Sequence, residues 1–326
     1  MKKSIIIGID VSSKTLDICI KDGETISSLV IKNSAKEIVR FLKPFAKQKV
    51  VVAMENTGRY NWPLYESLAR YTFTVYVITP LHLKKSLGLV RGKNDKIDAQ
   101  RILQFIVKNH DTLEPWECPS VTIQKLKILL TERAYRIKAK GQLLKMQHDY
   151  QLMKAAGLDK SLKTLSNNLV EELENQIGKL EEQIHELISS DNELNQQAKL
   201  IQTVPGVGKV LCWTMLSKTN GFKSIKSARK MACYSGVVPF DYQSGSSIHK
   251  KPRVSVFADK SIKTILHLAA MSAIRLDNDL RAYYLRKVME GKNKMSVLNA
   301  VRNKILHRIY AVIRTQTNYQ NNLILS

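Results

Sequence analysis

No stretch of the sequence approaches the roughly 18 consecutive apolar residues of a membrane-spanning helix, which argues against an integral helical membrane protein. Cysteine is scarce and scattered. Cys19, Cys118, Cys212 and Cys233 never form a CxxC pair, so neither a zinc site nor a disulfide framework is expected, only free thiols in or near a core. The seven histidines form no HxH or HxxxH pair, and none is assigned a metal. Low-complexity segments and internal repeats are lacking too. The opening MKKSIIIGID joins two lysines to a short apolar run, but Asp10 interrupts that run and no small-residue cleavage site follows. A secretory leader is therefore not expected, and the cytoplasm is the expected compartment.

Acidic residues are in deficit: 28 Asp and Glu stand against 52 Lys and Arg, a net charge of +24. A chain this basic repels itself unless a polyanion neutralises it, so nucleic acid is the expected partner. The excess is uneven. From Arg281 to Arg314 nine basic residues, among them Arg286, Lys287, Lys292, Lys294 and Arg302, meet one acid, Glu290. With 326 residues and 44% hydrophobic content the chain reads as a soluble globular protein of two or three domains.

The first hundred residues alternate strand and helix signals. Ile5–Ile9 runs into Asp10; Leu16–Ile20 and Thr25–Ile31 follow around an Asp22-Gly23 turn; 35–42 has helical spacing before Pro44. Lys49–Met54 is another apolar strand, ending in Glu55, with a helix at 63–70 and a strand at 73–78 after it. Three hairpin-type strands followed by alternating helices and strands is the order of an RNase H-like α/β fold. Residues 121–152 read as a long basic helix. Leu173, Ile177, Leu180, Ile184 and Leu187 then form a heptad seam, suited to an antiparallel helical hairpin, a dimer contact or an ordinary amphipathic helix. TVPGVGK at Thr203 has the shape of a helix-hairpin-helix turn, or of a plain helix connection. Beyond it, 222–234, 261–273 and 298–313 read as helices, and 237–249 as loop and turn.

Four acids carry the chemical argument. Asp10 and Glu55 each end an apolar strand, while Asp95 and Asp98 open an apolar-periodic helix at i, i+3, on one face. Phosphodiester chemistry commonly uses two hard cations, which take oxygen ligands that four such carboxylates could supply. Any one of them alone is more simply a turn residue or a helix cap; all four, in this order on a basic chain, favour a metal site binding Mg²⁺ or Mn²⁺.

The blocks GIDVSSKTLDICI, AMENTGRY and VRGKNDKIDAQRI resemble those of the DEDD transposases of the insertion-sequence family numbered one-ten, whose N-terminal domain resembles the junction resolvase RuvC. YSGVVPFDYQSGSS, LHLAAMSAI and YYLRKVMEGKNKMSVLNAVRNKILHRIYAV are similar to that family's C-terminal transposase domain. The resemblance implies a recombinase whose four acids are Asp10, Glu55, Asp95 and Asp98. It places the nucleophilic serine at Ser244, with Ser246 and Ser247 close by, and adds a structured bridge RNA from the element that pairs with donor and target DNA. The chain departs from the family after that serine, where Val256 and Ala258 replace a Lys and a Gly of a Ser-Lys-x-Gly-Asn-like segment.

Taken alone, SGSS is more often a flexible turn than a nucleophile. Lys250, Lys251 and Arg253 could bind the scissile phosphate or clamp the backbone generally. Tyr283-Tyr284 with Arg286 and Lys287 suits a stacking contact, or one ring packed inside and the other at the surface. The organisation expected is an RuvC-like α/β domain over 1–115, a helical and coiled-coil connector over 116–200 and a mainly α-helical transposase domain over 201–326. The expected partners are donor and target DNA, an element-encoded RNA and further copies of the chain, without a membrane. A junction-resolving nuclease using water, and a non-catalytic nucleic-acid-binding protein, are the rival readings.

Overall fold

The computed structural model describes residues 4–86, 95–152, 157–244 and 248–320. They form two compact units, Met1–Cys118 and Pro119–Ser326. Among the described residues no helix is long and apolar enough to cross a membrane.

The first unit is mixed α/β. Strands β1 (Ile5–Val11), β2 (Thr15–Asp22) and β3 (Thr25–Lys32) form an antiparallel meander. Helix α1 (Ala35–Leu42) leads to β4 (Val50–Glu55), and α2 (Trp62–Leu68) to β5 (Thr74–Ile78). Helices α3 (Pro80–Ser86) and α4 (Asp95–Asn109) complete the unit. The sheet order is β3-β2-β1-β4-β5, with β4 parallel to β1 and β5 parallel to β4.

Period-two alternation gives the sheet two covered faces. Ile5, Ile7, Ile9 and Val11 of β1 join Val50, Val52 and Met54 of β4, packed against Ile38 and Leu42 of α1 and Leu64 and Leu68 of α2. The opposite face carries Gly8, Cys19 and Ala53 and is covered by Ala99, Leu103, Ile102 and Ile106 of α4. Gly8 is what lets that helix settle. A Cβ there would lie 2.6 Å from the Leu103 backbone nitrogen and 2.7 Å from the Ala99 carbonyl oxygen.

The second unit is mostly helical. Helix α5 (Val121–Leu152) and α6 (Asp159–Ser189) lie antiparallel. Arg133 pairs with Glu181, Arg136 bonds Gln176 and Lys140 pairs with Glu174, so residue numbers rise on one helix as they fall on the other. The heptad seam is thus an intrachain hairpin, with Ile184 buried and Leu173, Ile177 and Leu180 half-buried. Helix α7 (Asn192–Gln202), capped by Asp191, turns through Gly206 into α8 (Lys209–Thr219), which the core surrounds.

Residues 222–227 are not helical, contrary to the helix expected over 222–234. Asn220, Gly221 and Phe222 all have positive φ, which ends α8, and the next helix, α9 (Ala228–Tyr234), starts only where Ser227 caps it. The segment read as loop from 237 forms a hairpin of β6 (Phe240–Ser244) and β7 (Ile248–Arg253). Helices α10 (Lys260–Leu276), α11 (Asn278–Met289) and α12 (Lys294–Thr315) follow. Buried Asp277 caps α11 and pairs with Arg308 of α12. The apolar faces of α8, α10 and α12 share one core.

Candidate active site and nucleic-acid surface

Register brings two of the four expected acids together. In the parallel pair, Ile5 to Ile9 of β1 face Val50 to Met54 of β4, residue by residue. The next position on each strand is Asp10 and Glu55, so the two acids end neighbouring parallel strands, about 5 Å apart in the sheet, on the face that α4 covers. Asp98 belongs to α4, one residue before Ala99, the residue whose carbonyl meets Gly8 two positions ahead of Asp10. Its carboxylate is half-buried and accepts from Arg101 Nη1 at 2.6 Å. Asp95 opens α4; its side chain lies outside the described residues.

A fifth acid was not expected. Asp17 is the cross-strand partner of Asp10, on the same face, and only 9% exposed. Asp17, Asp10 and Glu55 therefore run across β2, β1 and β4, an alignment whose like charges repel unless cations or donors compensate them. The signal was present in TLDICI, an acid inside an otherwise apolar strand. Among the described residues no three His, Cys, Asp or Glu side chains form a ready metal cage. The donor type is carboxylate oxygen throughout, which suits a hard divalent cation and not a soft one.

The loops after the two strands are built by asparagines. Asn61, fully buried, donates to the Glu55 carbonyl at 2.9 Å while its own oxygen accepts from the Thr57 backbone and hydroxyl. Asn33 donates to the Ser12 carbonyl beyond β1 and to the Tyr60 carbonyl beyond β4, tying the two strand ends together.

In the second unit, Ser244 ends β6 and its backbone pairs with Ile248; its side chain, like those of Lys250 and Lys251 on β7, lies outside the described residues, as do Ser246 and Ser247 entirely. Arg253 is exposed at the end of β7. Arg286 lies 5.9 Å from the Tyr283 ring centroid, and Lys304 of α12 sits over the same ring at 4.6 Å. Arg286 and Lys287 both flank Glu290, whose carboxyl the Lys287 hydrogen bond holds below its ordinary range. Lys292 and Lys294 are exposed before and at the start of α12, whereas Arg302, expected among the nucleic-acid contacts, is buried.

A carboxylate row at the ends of strands, in a strongly basic chain, defines the class: a nucleic-acid-processing protein with an acidic centre. The comparisons narrow it. The family described as "Transposase", of the DEDD type of IS110, matches residues 7–148, and the "Transposase IS116/IS110/IS902 family" matches residues 198–285. The chain belongs to the IS110 family of insertion-sequence transposases. It is 28% identical over 321 residues to the "Pilin gene-inverting protein" of Moraxella bovis, covering 94% of this chain and 95% of that one. It is equally similar to the protein of that name in Moraxella lacunata. A "Putative transposase y4pF/y4sB" of Sinorhizobium fredii is 22% identical, over 89% of this chain and 79% of its own.

Proposed function

We propose that this transposase breaks and rejoins DNA with an RNase H-like, RuvC-like acidic centre and a serine that holds the cut strand. The observation that carries the reading is the placement of Asp10 and Glu55 at the carboxyl ends of adjacent parallel strands, on the sheet face packed by the helix that bears Asp95 and Asp98. These four would hold Mg²⁺ or Mn²⁺. The cation would supply positive charge to the oxyanions that phosphodiester chemistry develops. Asn33 and Asn61 act by fixing the strand-end loops, so that the acids are held before DNA arrives. Ser244 Oγ attacks the scissile phosphorus, the P–O bond to one sugar breaks as the serine ester forms, and the proton that the serine loses is balanced by the one that the departing sugar oxygen gains. A second sugar hydroxyl then reverses the exchange and releases the serine. The ester keeps the energy of the broken bond, which attack by water would dissipate.

The same reading assigns Lys250, Lys251 and Arg253, with Arg286, Lys287, Lys292, Lys294 and Arg302, to the nucleic-acid backbone. Its partners are donor and target DNA, an element-encoded guide RNA and further copies of the chain. The parts are the catalytic domain to about 115, the helical connector to about 200 and the transposase domain beyond. Inversion of a DNA segment, the activity named for the Moraxella relatives, needs the same cutting and rejoining.

The test is a strand-exchange assay with a covalent-adduct readout. Asp10→Asn and Glu55→Gln keep shape but lose charge, so both should abolish product while fold and DNA binding persist. Ser244→Ala should form no adduct and no product, whereas Ser246→Ala and Ser247→Ala stay active. Recombination by Ser244→Ala would move the reading to a nuclease that uses water.

A further inference from the structure

Helices α10 and α12 bound a cleft of about 510 Å³ in the second unit, lined by Lys260, Lys263, His267, Ser296, Asn299 and Arg302 among others. Three of these are cations, and among the described residues no carboxylate lines the cleft. Arg302 is 5% exposed and, among the described residues, has no acidic partner. Its Nη1 donates to Asn299 Oδ1 at 3.2 Å and its Nη2 to His267 Nδ1 at 2.7 Å. Nε is buried and, among the described residues, has no hydrogen-bond partner. A guanidinium only donates, so His267 Nδ1 must accept, which leaves the ring proton on Nε2 as a further donor. Burial pulls the Arg302 guanidinium below its ordinary range. Burial, with the charge of Arg302 added, does the same to the Lys263 ammonium.

A buried charge with neither counter-ion nor full hydrogen bonding is costly, and chains keep one where a ligand completes it. A group that satisfies this cleft is an anion with several acceptor oxygens, small enough to enter and charged enough to offset three cations. Phosphate has that chemistry, and Arg is suited to gripping two of its oxygens at once. The cleft is also tied to the hairpin that carries Ser244: Asn299 Nδ2 donates to the carbonyl of Val237, seven residues ahead of that serine.

We propose that the cleft between α10 and α12 is a binding site for a backbone phosphate of the DNA strand, with Arg302 Nε and the ammonium of Lys263 as its donors. The proposal rests on the recombinase reading above and adds a phosphate subsite to it. It names Lys260, Lys263 and His267, which the sequence pattern did not single out, and gives Arg302 a pocket instead of an open surface.

The experiment uses the full chain and two probes, inorganic phosphate and a short DNA duplex. Phosphate should raise the melting temperature of the wild type above that in chloride of equal ionic strength, because only the folded state binds it. Lys263→Gln should lose that difference. On the duplex, the slope of log affinity against log salt should become shallower by about 0.9 when one phosphate contact is removed. Should Lys263→Gln not fold, Lys260→Gln, which removes a cation of the cleft from the exposed first turn of α10, should weaken the protection by phosphate. A wild type protected no better by phosphate than by chloride overturns the site. Phosphate protection lost in the variant with an unchanged duplex slope makes it a free-anion site, which overturns the DNA assignment. A chain that recombines DNA with an unaltered slope in the variant sinks the cleft alone; one that binds no DNA sinks the recombinase reading and the cleft together.

Discussion

Asp259 shows how one side chain can serve two elements. Its Oδ1 accepts from the backbone of Ser261 and Ile262, capping α10, while its Oδ2 accepts from Lys218 of α8 at 2.8 Å. Burial alone would raise this carboxyl. The hydrogen bonds from Lys218 and Ser261, the Lys218 charge and the Ile262 amide outweigh it, and hold the group at about 2. A folded-state value below the unfolded one of about 3.9 means stability that is present above pH 4 and lost as pH falls toward 2. Asp259→Asn keeps a cap oxygen but not the charge, so it should cost about 1 kcal/mol at neutral pH after allowing for solvent screening. Denaturation midpoints of the two proteins should converge between pH 4 and 2; a constant gap across that window would refute the ion pair's part. The sequence analysis marked the helix but not its cap, and the Lys218 contact could not be read there, because its partner comes from a distant helix. Asn33 and Asn61 escaped for the same reason: their meaning lies in carbonyls of other loops, which have no local pattern. Asp17 was visible as an acid inside an apolar strand, but only register sets it beside Asp10.

At the scale of elements, what could be read was what hydrophobic period dictates. The strands ending at Asp10 and Glu55 and the helix carrying Asp95 and Asp98 were legible because each is a strong apolar run broken by one polar signal. The β6–β7 hairpin was not: IHKKPR shows no apolar alternation, and its pairing with FDYQS is a matter of cross-strand register. The helix expected over 222–234 failed because three successive left-handed residues override helical spacing. The heptad seam left its partner open, and only tertiary structure names α5. That pairing predicts unequal costs along the seam. Ile184 is fully buried, at the end of the hairpin that joins the main core, whereas Ile177 is half-buried farther along it. Ile184→Ala should cost about 2–5 kcal/mol in urea denaturation of the second unit, and Ile177→Ala clearly less. Equal losses at the two positions would mean that the hairpin is buried against something along its whole length. The exposed Leu165 and Leu169, on the same helix, mark where to look in that case.

Charge is a property of the whole molecule, and it is divided unequally. Residues to Cys118 hold 19 Lys and Arg against 12 Asp and Glu, a net +7; those after it hold 33 against 16, a net +17. The unit that carries Asp10, Glu55 and Asp98 is thus the less basic one. The helical unit holds most of the charge available for neutralising phosphates. Repulsion among these cations opposes the compact state, and a bound polyanion relieves it, so binding should be driven largely by release of counter-ions from the nucleic acid. On duplex DNA the log–log slope of affinity against salt should be about −5 or steeper, the signature of roughly six phosphates neutralised. Affinity should then fall by about a thousandfold between 50 and 200 mM salt. Asp10→Asn should leave that slope unchanged, since it alters the less basic unit and removes no phosphate contact. A slope near zero in the wild type would mean that the +17 of the helical unit is a solvated surface, and that base contacts or shape supply the affinity instead.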